Sequence, residues 1–195
     1  VSYCTSALFL SLTALGVLAG DEVITVSHSF IATANAITMT GAKPVFVDVE
    51  HQSHNIDPGL LRSKITPRTK AIVCVHQFGM PCDLQAIFEI CEEYGLKLVE
   101  DAACAAGSMI QINGKWAPIG SSHADAICFS FHPRKVITTG EGGLVMTQSK
   151  EIADKIRILR QHGMTVSDRV RHNSNKVVFE QYDIATGNYR MTDLQ

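Results

Sequence analysis

The chain has 195 residues, 46% of them hydrophobic and 18% charged, with 17 basic and 19 acidic side chains and a net charge of −2. That balance excludes a basic footprint for nucleic acid or for an anionic membrane surface. No stretch of about 18 apolar residues occurs, so nothing reads as a membrane-spanning helix.

Val1-Ser2-Tyr3-Cys4 reads as the tail of a strand that runs into an apolar helix over 7–19. That run is too short for a membrane span and lacks the basic leader of a signal peptide. Residues 23–26 form an apolar strand pattern, and 32–40 a helix that ends at Gly41. Residues 44–49 read as a strand, and Asp57-Pro58 opens a short helix from its N-cap and first positions. A buried strand is expected over 70–75. Asp83 then caps a helix that runs to Tyr94 and stops at Gly95. Further strands are expected over 96–100, 124–130 and 143–147. Residues 150–162 carry Ile152, Ile156 and Leu159 on one face and Lys or Arg on the other, the pattern of an amphipathic helix. Residues 165–185 are polar and irregular and read as an exposed arm. Residues 191–195 look like the first turn of a further helix.

Apolar strands alternating with helices predict an α/β fold: a three-layer, mostly parallel sheet with helices on both faces. Ligands bind such sheets beyond the carboxyl ends of the strands. The six cysteines (Cys4, Cys74, Cys82, Cys91, Cys104, Cys128) contain no Cys-x-x-Cys pair. They read as small buried hydrophobes in a reducing cytosol rather than as metal ligands or a disulfide framework.

Three polar clusters stand at strand ends or helix starts. Asp101 follows the strand 96–100 and precedes Ala102-Ala103, small neighbours that suit a flat ring; the competing reading is a helix N-cap. Ser130 and Lys135 share the turn after the strand 124–130, with Gly140-Glu141-Gly142-Gly143 close behind. A lysine there can form a Schiff base with a carbonyl compound; the competing reading is a surface Lys–Arg pair. Cys4-Thr5-Ser6 precede the first helix, where hydroxyls and free amides make an anion site or a plain cap. Together they match the needs of pyridoxal phosphate: a lysine, a carboxylate for the pyridine nitrogen, a phosphate cup and a stacking partner. Neither a Walker loop nor a Gly-x-Gly-x-x-Gly fingerprint is present.

The sequence resembles the DegT/DnrJ/EryC1/StrS family of sugar aminotransferases, of fold type I. The resemblance rests on stretches such as Gly41-Ala42-Lys43-Pro44-Val45-Phe46-Val47-Asp48, His76-Gln77-Phe78-Gly79 and Glu100-Asp101-Ala102-Ala103. Phe129-Ser130-Phe131-His132-Pro133-Arg134-Lys135 and Gly187-Asn188-Tyr189-Arg190 extend it over nearly the whole chain. It implies a pyridoxal 5′-phosphate enzyme that passes an amino group, from glutamate, to a nucleotide-linked keto-sugar for polysaccharide, lipopolysaccharide or secondary-metabolite biosynthesis. Lys135 would bind the cofactor and act as the base. Asp101 would pair with the pyridinium, Phe30 would stack on the ring, and Thr5, Ser6 and Ser130 would hold the phosphate. Asn188 would reach the phosphate of a partner subunit, which implies a cytoplasmic homodimer with shared active sites. His76 is expected to be structural. Cys104 stands where the family has His or Gln, and Cys4 where it commonly has Gly. The resemblance also implies that residues 1–195 are a cofactor-binding large domain without its N-terminal helix and C-terminal small domain, inactive as such. A sugar dehydratase and a non-catalytic relative are the alternatives; Lys135 and Asp101, both present, argue against them.

Overall fold

The computed structural model describes residues 1–112, 114–166 and 173–195. In chain order the elements are α1 (Cys4–Ala14), β1 (Glu22–Val26), α2 (Ala32–Met39), β2 (Lys43–Val47), α3 (Pro58–Leu61), β3 (Thr69–Val75) and α4 (Leu84–Tyr94). They continue with β4 (Lys97–Asp101), β5 (Met109–Ile112), β6 (Lys115–Pro118), β7 (Ala126–Ser130), β8 (Gly143–Met146) and α5 (Lys150–Leu159). The main sheet has the order β2-β1-β3-β4-β7-β8. Every pair in it is parallel except β7–β8.

Side chains alternate across a strand, and here the alternation separates two cores. Ile24, Ile72, Leu98 and Ile127 face one way, with Leu61 of α3 and Leu84 and Ile87 of α4. Val23, Val73, Val99 and Cys128 face the other way, with Leu8 of α1, Ile37 of α2 and Ile156 of α5. The fold is therefore an α/β sandwich of three layers. Each of the larger buried side chains contributes about 1.5–3 kcal/mol of transfer free energy. Helix α1 is apolar nearly all round because it is buried: Leu8, Leu10 and Leu12 are all at most 1% exposed.

The local signals act as expected at several ends. Asp57 accepts from the Gly59 amide with Pro58 at the first helical position. Asp83 accepts from the Ala86 amide at 3.1 Å, and Gly95 closes α4 in the left-handed region at φ 65°. Elsewhere the structure differs from the expectation. Residues 1–3 are not a strand; α1 begins at Cys4 and ends at Ala14, before Gly16. The hairpin β5–β6, outside the main sheet, was not expected. Helix α5 stops at Leu159, and His162 takes a positive φ of 60°. The expected arm over 165–185 lies partly outside the described residues. Its flanks are tied back by the bridges Met164–Tyr182 and Gln161–Asn188. Residues 191–195 hold a turn only. No helix among the described residues is long and apolar enough to cross a membrane.

Candidate cofactor site and active site

The parallel strands β1, β3, β4 and β7 end on one edge of the sheet, and the segments leaving them wall a cavity of about 460 Å³. Strand β4 delivers Asp101 to its floor. The strand includes Asp101 and no helix follows it, so Asp101 is not an N-cap. Its Oδ2 accepts from the Thr33 hydroxyl at 2.8 Å and its Oδ1 from the Ala103 amide at 3.1 Å. Only 5% of Asp101 is exposed. Burial pushes this carboxyl above the ordinary carboxylate range, while the two hydrogen bonds pull it down. An ionised Asp101 therefore favours a cationic partner in the cavity.

Lys135 reaches the same cavity from the turn after β7. Its amide donates to the His132 carbonyl at 2.9 Å, and its Nζ donates to Cys104 Sγ at 3.1 Å. Ser130, at the end of β7, also lines the cavity; its Oγ accepts from the His132 amide at 3.3 Å. Thr5 and Cys4 contribute the first turn of α1. The N-cap residue Tyr3 makes no side-chain cap, which leaves the first amides of α1 available to a ligand oxygen. Burial and then the nearby Asp101 charge push the Cys4 thiol up, so it stays neutral there. Gly143 lets β8 pass this helix start: a Cβ on it would lie 2.6 Å from the Tyr3 carbonyl and 2.8 Å from the Cys4 nitrogen.

Thr5, Phe30, Asp101, Ser130 and Lys135 are thus brought to one cavity. Phe30 stands at its rim, 72% exposed. Ser6 and Asn188 are not among the lining residues. Ser6 is buried in the first turn of α1 and shares a hydrogen bond of 3.2 Å with Ser2. Asn188 Oδ1 accepts from the Arg190 amide at 3.2 Å, beside its bridge to Gln161. Thr33 was missed, although a hydroxyl one turn after Phe30 was there to be read. Also missed was a buried array in which His76 and Ser122 meet the Glu100 carboxylate.

The model of the DegT/DnrJ/EryC1/StrS aminotransferase family matches residues 1–195. The chain belongs to that family. It is 45% identical to the spore coat polysaccharide biosynthesis protein SpsC of Bacillus subtilis, over 100% of this chain and 49% of SpsC. It is 42% identical to a GDP-perosamine synthase of Caulobacter vibrioides, over 98% of this chain and 47% of that protein. Among solved structures, DesV of S. venezuelae, in complex with a ketimine intermediate, superposes with a TM-score of 0.85 at 36% identity, covering 100% of this chain and 48% of DesV. The chain thus spans about half the length of the curated relatives it matches.

The aminotransferases of this family depend on pyridoxal phosphate, and the residues present fit it. A buried carboxylate suits the protonated ring nitrogen, a cavity lysine the aldehyde carbon, and an uncapped helix start with Thr5 and Ser130 the phosphate.

Proposed function

We propose that this chain is the cofactor-binding large domain of an aminotransferase that moves an amino group from glutamate to a nucleotide-linked keto-sugar. The observation that carries the reading is the meeting of Lys135 and buried Asp101 in one cavity beside the uncapped start of α1. The relatives named GDP-perosamine synthase support a nucleotide sugar as substrate, and SpsC, a spore coat polysaccharide biosynthesis protein, supports a role in polysaccharide synthesis. When bound, the cofactor supplies an electron sink for the carbanion formed at the substrate carbon.

The protein's own residues divide the remaining work. Lys135 would hold the cofactor through Nζ and, once the incoming amine has displaced that nitrogen and freed it as an amine, would use it to move a proton to and from the substrate carbon. Asp101 holds the proton on the ring nitrogen. The first amides of α1, with Thr5 and Ser130, bind the phosphate, and Phe30 covers the ring. In the same reading the enzyme is a cytoplasmic homodimer in which Asn188 serves the partner's site, and a second, smaller domain closes the cavity. The complete gene product with added pyridoxal phosphate is expected to show the visible absorption band of the lysine-linked cofactor. Lys135→Ala abolishes the band. Incubation with glutamate and a nucleotide keto-sugar then yields the aminosugar by mass. A complete protein with no visible band, or a hydroxyl lost from the sugar with no amine gained, refutes the reading.

A further inference from the structure

Strand β4 ends in two successive carboxylates, and the proposed function uses only one. Asp101 lies on the face of α2, where Thr33 meets it. Glu100 lies on the opposite face and is fully buried, at 0% exposure. Its hydrogen-bond partners come from the two flanking segments. His76, just after β3, places Nε2 2.9 Å from Oε2. Ser122, before β7, donates to Oε1.

The direction of these bonds can be read from the backbone. The Cys82 amide donates to His76 Nδ1 at 3.1 Å, so the proton of a neutral ring sits on Nε2 and is donated to Glu100. Burial opposes an imidazolium on His76, while Cys82 and Glu100 favour one and together carry the ring up to about 9; against that, the Cys82 amide donates to Nδ1, which leaves this nitrogen no place for a second proton and fixes the neutral ring. The Ala124 amide likewise donates to Ser122 Oγ at 3.3 Å, so the serine hydrogen is free for Glu100. Two chains of donors, each starting at a backbone amide, converge on one side chain. Both oxygens of Glu100 act as acceptors, which is the pattern of a carboxylate and not of a carboxylic acid. No lysine or arginine is among its hydrogen-bond partners in the described residues.

The array is also tied to Asp101. Cys74 is in register with Glu100 and Val75 with Asp101. The His76 amide donates to the Asp101 carbonyl at 3.1 Å. A fixed negative charge therefore stands one residue behind the cavity floor, in a dry interior where charges act over longer range than in water.

We propose that Glu100 is a positioning residue for the cofactor: held ionised by His76 and Ser122, it adds its charge to that of Asp101 and stabilises the protonated ring nitrogen. This rests on the proposed function, since it needs Asp101 to face that nitrogen.

The test compares pyridoxal phosphate with its 1-deaza analogue, in which carbon replaces the ring nitrogen. Affinities of both for the complete apo-protein are measured by titration, with circular dichroism as the folding control. Wild type prefers pyridoxal phosphate, and Asp101→Asn loses that preference. Glu100→Gln is expected to reduce the preference about tenfold, the order of one unit charge acting across a protein interior, with little change for the deaza analogue. His76→Gln can still accept from Cys82 and donate to Glu100, so it loses less preference than His76→Leu. Should Glu100→Gln not fold, Ser122→Ala removes one of the two donors and is expected to cost about threefold in preference. Equal weakening of both cofactors, or an unchanged preference, overturns the role of Glu100. A wild type with no preference, or one that binds neither compound, overturns the functional reading itself and this inference with it.

Discussion

Replacing Thr33 by valine removes one hydroxyl from a buried contact and keeps the shape of the side chain. Thr33 Oγ1 donates to Asp101 Oδ2 at 2.8 Å, and both residues are buried. Ser29 also meets this hydroxyl at 2.8 Å but is only half-buried, so it can turn to water. The loss therefore falls on Asp101. A hydrogen bond to a charged group contributes about 1.5–3 kcal/mol. For a protein of this size, that corresponds to a fall in Tm of roughly 3–12 °C. Burial holds the Asp101 carboxyl above its ordinary range, and Thr33 pulls it back. A carboxyl whose folded pKa is raised contributes fully to stability below its unfolded value and loses that contribution as pH rises through the folded value. Removing the hydroxyl raises the folded value further, so the variant loses most where Asp101 is ionised. The deficit should be full at alkaline pH, where Asp101 is ionised, and shrink as pH falls and the carboxyl takes up its proton, approaching the roughly 0.5–1.5 kcal/mol of a neutral hydrogen bond. Urea unfolding of wild type and Thr33→Val across this range reads it directly. A deficit independent of pH, or below about 0.5 kcal/mol at neutral pH, would falsify the assignment of an ionised Asp101 held by Thr33.

Two further outcomes follow from the cavity walls. Gly143→Ala puts a Cβ 2.6 Å from the Tyr3 carbonyl, so the start of α1 must shift. Melting should show a loss of about 1–3 kcal/mol, together with weaker cofactor binding; wild-type values for both would contradict the close approach. Cys104 is exposed beside Lys135, whereas Cys74, Cys82, Cys91 and Cys128 are buried. Peptide mass analysis should find iodoacetamide on Cys104 first in the apo-protein and little there once pyridoxal phosphate is bound; labelling unaffected by cofactor would place Cys104 away from the site.

What could be read in the amino-acid order was whatever depends on local chemistry. Asp83 and Gly95 bracket α4 as a cap and a left-handed stop, and both are signals carried by single residues. The apolar strands were visible because burial on two faces leaves no room for polar positions. The β5–β6 hairpin was overlooked because its strands are short and exposed or at most half-buried, so their apolar and polar positions do not stand out as they do in the buried strands. The start of α1 was misplaced because Cys4 and Thr5 have poor helical propensity, while the close approach of Gly143 in β8 to Tyr3 and Cys4 is a contact distant in sequence. In the site, Lys135 and Asp101 could be named from their types and places. The partners of Glu100 could not, because His76, Glu100 and Ser122 are joined by strand register and loop return rather than by spacing.

The antiparallel pairing of β7 and β8 has a consequence for how such a protein can vary. Ser130 is in register with Gly143, and the Phe131 amide donates back to the Gly142 carbonyl at 2.9 Å. The segment that carries Lys135 therefore leaves and re-enters the sheet at a single closed gate, not through a helical crossover. Insertions or deletions within 132–141 would be absorbed beyond that gate. The shape of the cavity wall around the lysine can thus be rewritten by changing these ten residues, while the strands that carry Asp101 and Ser130 stay where they are.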